Sequence, residues 1–121
     1  MKIQLTYKFT GEDFSEVVGM LGKTRDILEV RGHDVYVPAL DESMTLEDRE
    51  SFENTFRHID GCDRVLSIIR SSNKSEGQLL EVGYSRARGK YLFTFIREGA
   101  GHDRVIGLSD KVVVFQDMDD Y

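Results

Sequence analysis

Apolar and polar positions alternate from Lys2 to Phe9, with Ile3, Leu5, Tyr7 and Phe9 in step, the period of a strand with one buried face. Thr10 and Asp13 have the spacing of a helix cap. Beyond them the period changes, and Phe14, Val17, Val18, Leu21 and Leu28 repeat at helical spacing to about Arg31, where Gly32 stops the helix. The short run His33 to Val37, closed by Pro38, predicts a second strand. Thr45 with Asp48 offers a further helix start, and Phe52, Phe56 and Ile59 line one face of a second helix ending at Gly61. Arg64 to Ile69 is almost wholly apolar, as a strand covered on both sides should be. The polar loop Arg70 to Lys74 leads to Ser75 and Gln78, a capping pair for a third helix with Leu80, Tyr84 and Ala87 on its core face and Gly89 as its stop. Tyr91 to Ile96 and Lys111 to Phe115 predict the last two strands. Between them, a glycine-containing loop from Arg97 to Arg104 precedes a helical turn at Val105 to Ser109.

Strands alternating with helices specify a parallel sheet with helices on both faces, and right-handed crossovers leave few topologies. The expected fold is a flavodoxin-like (Rossmann-like) three-layer α/β sandwich with a five-stranded parallel sheet in the order 2-1-3-4-5. Ligands of such sheets sit beyond the carboxyl ends of the strands where the order reverses, here between the first and third strands. The loops Phe9 to Asp13, which contains Gly11, and Arg70 to Lys74 should flank that crevice.

This placement singles out the start of the third helix, whose free N–H groups and positive dipole end favour an anion. Ser75 supplies a hydroxyl, Gly77 lets a ligand approach the backbone, and Arg70 and Lys74 add positive charge; a plain helix cap explains Ser75 equally well. Glu81 lies six residues further on, about 9 Å along the helix, and its side chain leans back toward the crevice. Gly77, Glu81 and Ser85 share a face of small residues that leaves room for a ligand, although a helix glutamate is also commonly solvated. Tyr7 and Phe9 serve either as a wall on which a base stacks or as core strand residues.

Composition narrows the partners. A chain of 121 residues with 40% hydrophobic and 31% charged residues fits one folded domain, 1–121. The net charge of −6 disfavours nucleic acids and anionic membranes, so small molecules are the expected ligands. No apolar run approaches a membrane span, and Met1-Lys2 leads straight into the first strand, so a cytoplasmic location is expected. The single Cys62 excludes an internal disulfide. His58, Asp60, Cys62 and Asp63 only superficially resemble metal ligands, so neither a metal nor a cofactor is expected. His33 and His102 read as surface or loop residues. P-loop and dinucleotide fingerprints are absent, and Ile69-Arg70 stands where a phosphate-accepting receiver domain needs an aspartate.

The stretch Ser75-Glu76-Gly77-Gln78-Leu79-Leu80-Glu81-Val82-Gly83-Tyr84, continued by Gly89-Lys90-Tyr91, resembles the nucleoside 2-deoxyribosyltransferase family, closest to its 2′-deoxynucleoside 5′-phosphate N-hydrolase branch. Gly32-His33-Asp34-Val35 and Asp63 are also similar, so the likeness spans Lys2 to Ile96. The resemblance implies that Glu81 is the nucleophile attacking the anomeric carbon of a sugar. It makes Ser75 a phosphate contact where the transferases have an aspartate for the sugar 5′-hydroxyl, and Tyr7 the tyrosine that orients the nucleophile in some members. It also implies a homodimer that completes its site across a subunit contact, for which Phe52 and Phe56 are candidate interface residues.

Two departures stand out. Asn54 and Thr55 occupy the place of a family aspartate, with Glu53 and Asp60 as possible substitutes, and Lys8-Phe9-Thr10-Gly11-Glu12 replaces an often glycine-rich loop. The readings are therefore an N-glycosidase or deoxyribosyltransferase-like enzyme with Glu81 and Tyr7 as catalytic residues, or a non-catalytic nucleotide-binding or signalling module of the same fold.

Overall fold

Which side chains of the sheet meet which helix follows from the strand registers. In the computed structural model, which describes residues 1–9, 12–41, 48–73 and 75–116, the strands are β1 (Lys2–Tyr7), β2 (Asp34–Tyr36), β3 (Arg64–Ile69), β4 (Tyr91–Arg97) and β5 (Lys111–Phe115). They pair in parallel in the order β2-β1-β3-β4-β5, the order expected from the alternation of elements. The helices are α1 (Phe14–Val30), α2 (Pro38–Asp41), α3 (Asp48–Gly61), α4 (Glu76–Ala87) and α5 (Asp103–Leu108). Among the described residues, no helix is long and apolar enough to cross a membrane.

Local chemistry sets most boundaries. Asp13 caps α1 by accepting from the Glu16 amide at 2.9 Å, whereas Thr10 and Thr45, the other cap candidates, lie outside the described residues. Gly32 and Gly89 follow α1 and α4 with φ of 91° and 73°, a region that disfavours any side chain. Pro38 stops β2 as expected but also opens α2, where its missing N–H is no loss.

Two apolar layers enclose the sheet. Ile3, Leu5, Val35, Val37 and Ile68 pack with Val17, Met20 and Leu21 of α1 on one face. Val65, Ile69, Leu92 and Ile96 pack with Ile59 of α3, Val82 of α4 and Val105 of α5 on the other. The single buried face expected of β1 is a misreading, because its polar residues Gln4 and Thr6 are also fully buried. β1 is an interior strand covered by α1 on one side and by α3 and α4 on the other. Thr6 pairs in register with Ser67, and Ser67 with Thr94. All three are inaccessible to solvent and form a polar row across the sheet.

That row explains a second correction. The fully buried face of α4 is Gln78, Val82 and Ser85, and of the expected Leu80, Tyr84 and Ala87 only Tyr84 packs against the core. Leu80 is 55% exposed and Ala87 is exposed. Tyr84 is half-buried, with its ring stacked 4.3 Å from that of Phe56. A helix lying on polar sheet residues buries polar side chains that can bond them, and apolar periodicity does not report that face.

Candidate functional site

The strand order reverses between β1 and β3, and a small recess opens at their carboxyl ends. It is lined by Tyr7, Lys8, Glu12, Arg70, Asn73 and Gln78, among others, so the two loops expected to flank the crevice do so. The loop after β4 joins this rim through the Gly101 amide, which donates to Ser72 Oγ at 3.0 Å.

Ser75 caps α4 in extended conformation, its Oγ accepting from the Gln78 amide at 3.2 Å. The cap uses a lone pair of the oxygen and leaves the hydroxyl proton available to a ligand, so capping and anion contact are compatible. At Gly77 an added Cβ would stand 3.8 Å from Phe52 Cζ and 3.9 Å from Ser75 Oγ, so Phe52 of α3 overhangs the start of α4. Lys74 and Gly11 lie outside the described residues.

Glu81 is half-buried between α4 and β1, and its Oε1 accepts a hydrogen bond from Thr6 Oγ1 at 2.5 Å. One turn earlier, Gln78 is 3% exposed, and its Nε2 donates to Thr6 O at 3.3 Å, Ser67 Oγ at 3.2 Å and Ile68 O at 3.1 Å. Ser85, read from sequence as part of a ligand-facing surface, is fully buried, and its Oγ donates to the Glu81 carbonyl at 2.7 Å.

The remaining candidates divide differently from expectation. Tyr7 packs against the α1-side core and its hydroxyl accepts from the Ala39 amide at 2.6 Å, while Thr6, one residue earlier, donates to the glutamate. Phe9 meets Phe14 edge-on, with ring centroids 5.6 Å apart. Arg70 contacts two carboxylates, Glu16 at 3.3 Å and Glu12 at 4.0 Å, so an anion reaching it must compete with both.

On α3, Asn54 Nδ2 donates to the Tyr36 hydroxyl at 2.9 Å and Thr55 is 2% exposed. Neither substitute carboxylate is directed to this place. Glu53 pairs with Arg49 at 3.1 Å on an exposed face. Asp60 accepts from the Tyr84 hydroxyl and from Arg88 Nε at 2.7 Å, and its hydrogen bond to Tyr84 pushes that phenol's pKa up. Phe56, a candidate interface residue, is instead partly buried against the core beside Tyr84. Lys90 Nζ donates to the carbonyls of Asp60 at 3.0 Å and Cys62 at 2.8 Å, so the lysine of the Gly-Lys pair ties the end of α3 to the start of β4.

Reasoning from sequence did not name Thr6, and it gave Gln78 only as the cap partner of Ser75 and Phe52 only as a helix-face and interface residue. The signal for the first two was present as polar residues interrupting buried elements: Thr6 within the first strand, and Gln78 three positions before Glu81 on the same helix.

The parallel sheet in the order β2-β1-β3-β4-β5, flanked by helices and with the Glu81 carboxylate held against β1, defines the class as an α/β protein of flavodoxin-like fold. The sequence model of the nucleoside 2-deoxyribosyltransferase family matches residues 9–116, and the chain belongs to that family. Among solved structures it is similar to a 2-deoxyribosyltransferase from the psychrotolerant bacterium Bacillus psychrosaccharolyticus, at 26% identity over 99% of this chain and 89% of that one, with a TM-score of 0.72. It shares its fold with a CMP N-glycosidase from Clostridium botulinum, at 16% identity over 100% of this chain and 93% of that one, with a TM-score of 0.78. The 2-deoxyribosyltransferase of Leishmania mexicana has the same fold at 19% identity over 78% of this chain and 63% of that one, with a TM-score of 0.64. No curated protein matches the sequence.

Proposed function

We propose that the chain cleaves the N-glycosidic bond of a (deoxy)nucleoside 5′-monophosphate with Glu81 as nucleophile, as in the N-hydrolase branch of its family. The observation that carries this reading is the Glu81 carboxylate, fixed to Thr6 on β1 and set on the same helix whose N-terminus begins at Ser75. Cleavage at the anomeric carbon passes through an oxocarbenium-like transition state, which a carboxylate on the opposite face stabilises and then traps as an ester. The base departs with the electron pair of the C1′–N bond, and water hydrolyses the ester; the departing base and the water exchange the required proton. Ser75, the amide of Gly77 and the dipole of α4 receive the phosphate, with Arg70 on the lip. Tyr7 and Phe9 belong to the wall around sugar and base. The experiment is incubation with a panel of deoxynucleoside monophosphates and chromatography for released base, whose absence throughout overturns the activity.

Asn54 in hydrogen bond with Tyr36 favours a second reading, a non-catalytic nucleotide-binding module, because an amide stands where the family aspartate is expected. Tight nucleotide binding without base release selects it.

Gly77→Ala separates fold from site. The added methyl meets only ordinary van der Waals contacts, and exchanging glycine for alanine in a helix stabilises by about 0.5–1 kcal/mol. Melting temperature should hold or rise, while monophosphate affinity falls because the methyl stands beside the proposed phosphate. Unchanged affinity removes the phosphate from the α4 N-terminus.

We further propose a homodimer, since the recess is shallow for a whole nucleotide. Sedimentation should give about twice the 13.9 kDa chain mass. A solely monomeric species at micromolar concentration overturns it.

A further inference from the structure

We infer that Thr6 is a positioning residue for Glu81, which rests on the nucleophile reading above. Thr6 is fully buried in β1, 75 positions from Glu81 in sequence, and its hydroxyl proton goes to Glu81 Oε1. A carboxylate has two chemically equivalent oxygens and a rotatable terminal bond. A buried donor on one of them removes both the equivalence and the rotation. Oε1 is the oxygen held at the sheet, and Oε2 is the one that forms the bond to C1′ while the C1′–N bond breaks with its pair on the base. The ester then returns to carboxylate when water adds its oxygen to C1′, with one proton of that water balancing the one taken up by the base.

The donor is itself held in place. Gln78 Nε2 donates to the carbonyl of the same Thr6 and to Ser67 Oγ and Ile68 O on the neighbouring strand. Thr6 and Ser67 are in register. Gln78 and Glu81 sit three residues apart on one side of α4, so that helix is fastened to β1 and β3 by two side chains about one turn apart, one structural and one reactive. Tyr7 has its hydroxyl on the Ala39 amide, on the other side of the sheet. A threonine thus takes part in orienting the glutamate in this chain, beside the tyrosine that the family resemblance suggested.

Thr6→Val replaces the hydroxyl by a methyl of the same shape, and Thr6→Ser keeps the hydroxyl. With a turned-over deoxynucleoside monophosphate, the valine variant should lose about 100-fold in kcat, the scale of a misaligned reacting group, at nearly unchanged KM, and the serine variant should recover kcat to within a few-fold. Wild-type kcat in Thr6→Val overturns the inference. So does a parallel loss in Thr6→Ser, or a rise in KM that accounts for the effect, since either marks a role in folding or substrate binding alone. Carbon-13 NMR of the glutamate side-chain carboxyls at neutral pH, assigned with Glu81→Gln, reads the contact without turnover. The Glu81 signal should move in Thr6→Val and return in Thr6→Ser, and a signal that stays put overturns the contact. A protein that releases no base yet shows that shift rejects the activity and keeps the positioning contact, so the two failures are distinguishable.

Discussion

Glu81→Gln is expected to reduce base release at least ~10³-fold, about 4 kcal/mol of transition-state stabilisation at 1.36 kcal/mol per decade. The amide has the shape of the carboxylate but neither its charge nor its nucleophilicity, so it can neither stabilise an oxocarbenium-like transition state nor trap it as an ester. Its effect on folding should be small, because the amide oxygen can still accept from Thr6 Oγ1, the contact the wild-type Oε1 makes. Exchanging a charge-assisted hydrogen bond for a neutral one costs about 1 kcal/mol, and melting temperature should fall by no more than about 4–8 °C. Turnover and melting are therefore read on the same preparation. Near-wild-type turnover in a folded variant ends the assignment of Glu81 and moves the search to another nucleophile on the crevice rim. Lost turnover together with a collapsed melting transition is resolved by Thr6→Ser, which preserves both the hydroxyl and the carboxylate.

The same pair of residues shows what could be read from sequence. β3 and β5 have the boundaries their apolar runs predict, and the strand order follows from alternating elements and crossover handedness. Periodicity locates part of the apolar burial: Val17 and Leu21 of α1 are buried as expected, while Met20, outside the expected stripe, is buried and Phe14, within it, is 56% exposed. Across the middle of the other face, burial is polar instead: Thr6, Ser67 and Thr94 on the strands, Gln78 and Ser85 on the helix. Several of them are satisfied across elements, through contacts such as Gln78 to Ser67, 11 positions apart, and Thr6 to Glu81, 75 positions apart. No local period encodes such pairs. An alternating strand with polar residues between apolar ones looks half-exposed until the helix that satisfies those residues is in place. That is why β1 read as one-sided, why the fully buried stripe of α4 was not assigned to the core, and why Glu81 could be named while the residue holding it could not. Phe52 escaped as a site residue for a related reason. Its ring is ordinary for an amphipathic helix, and only the packing of α3 on α4 brings it over Gly77.

Monophosphates are expected to bind at least ~100-fold more tightly than the matching nucleosides. Two charge-assisted hydrogen bonds at about 1.5–3 kcal/mol each suffice for that ratio at 1.4 kcal/mol per decade. Ser75 can donate one of them while it caps α4, since its oxygen already accepts from the Gln78 amide and its proton is still to be placed. The free amides and the positive end of the helix add to the attraction. Arg70 contributes less than its position suggests, because Glu12 and Glu16 already engage it, and a phosphate there gains only the difference between three competing anions. Ser75→Asp is the discriminating variant. Aspartate is as good a helix cap as serine, so the fold and melting temperature should persist. Its charge, however, lies where the phosphate should sit, and its oxygens accept from a sugar 5′-hydroxyl. The preference should therefore vanish or reverse toward free nucleosides. Calorimetry on wild type and variant with one deoxynucleoside and its monophosphate measures the four affinities needed. Equal affinity of the wild type for both ligands, or an undiminished phosphate preference in Ser75→Asp, leaves Ser75 as a helix cap and shifts the substrate to the nucleosides that the transferase branch takes.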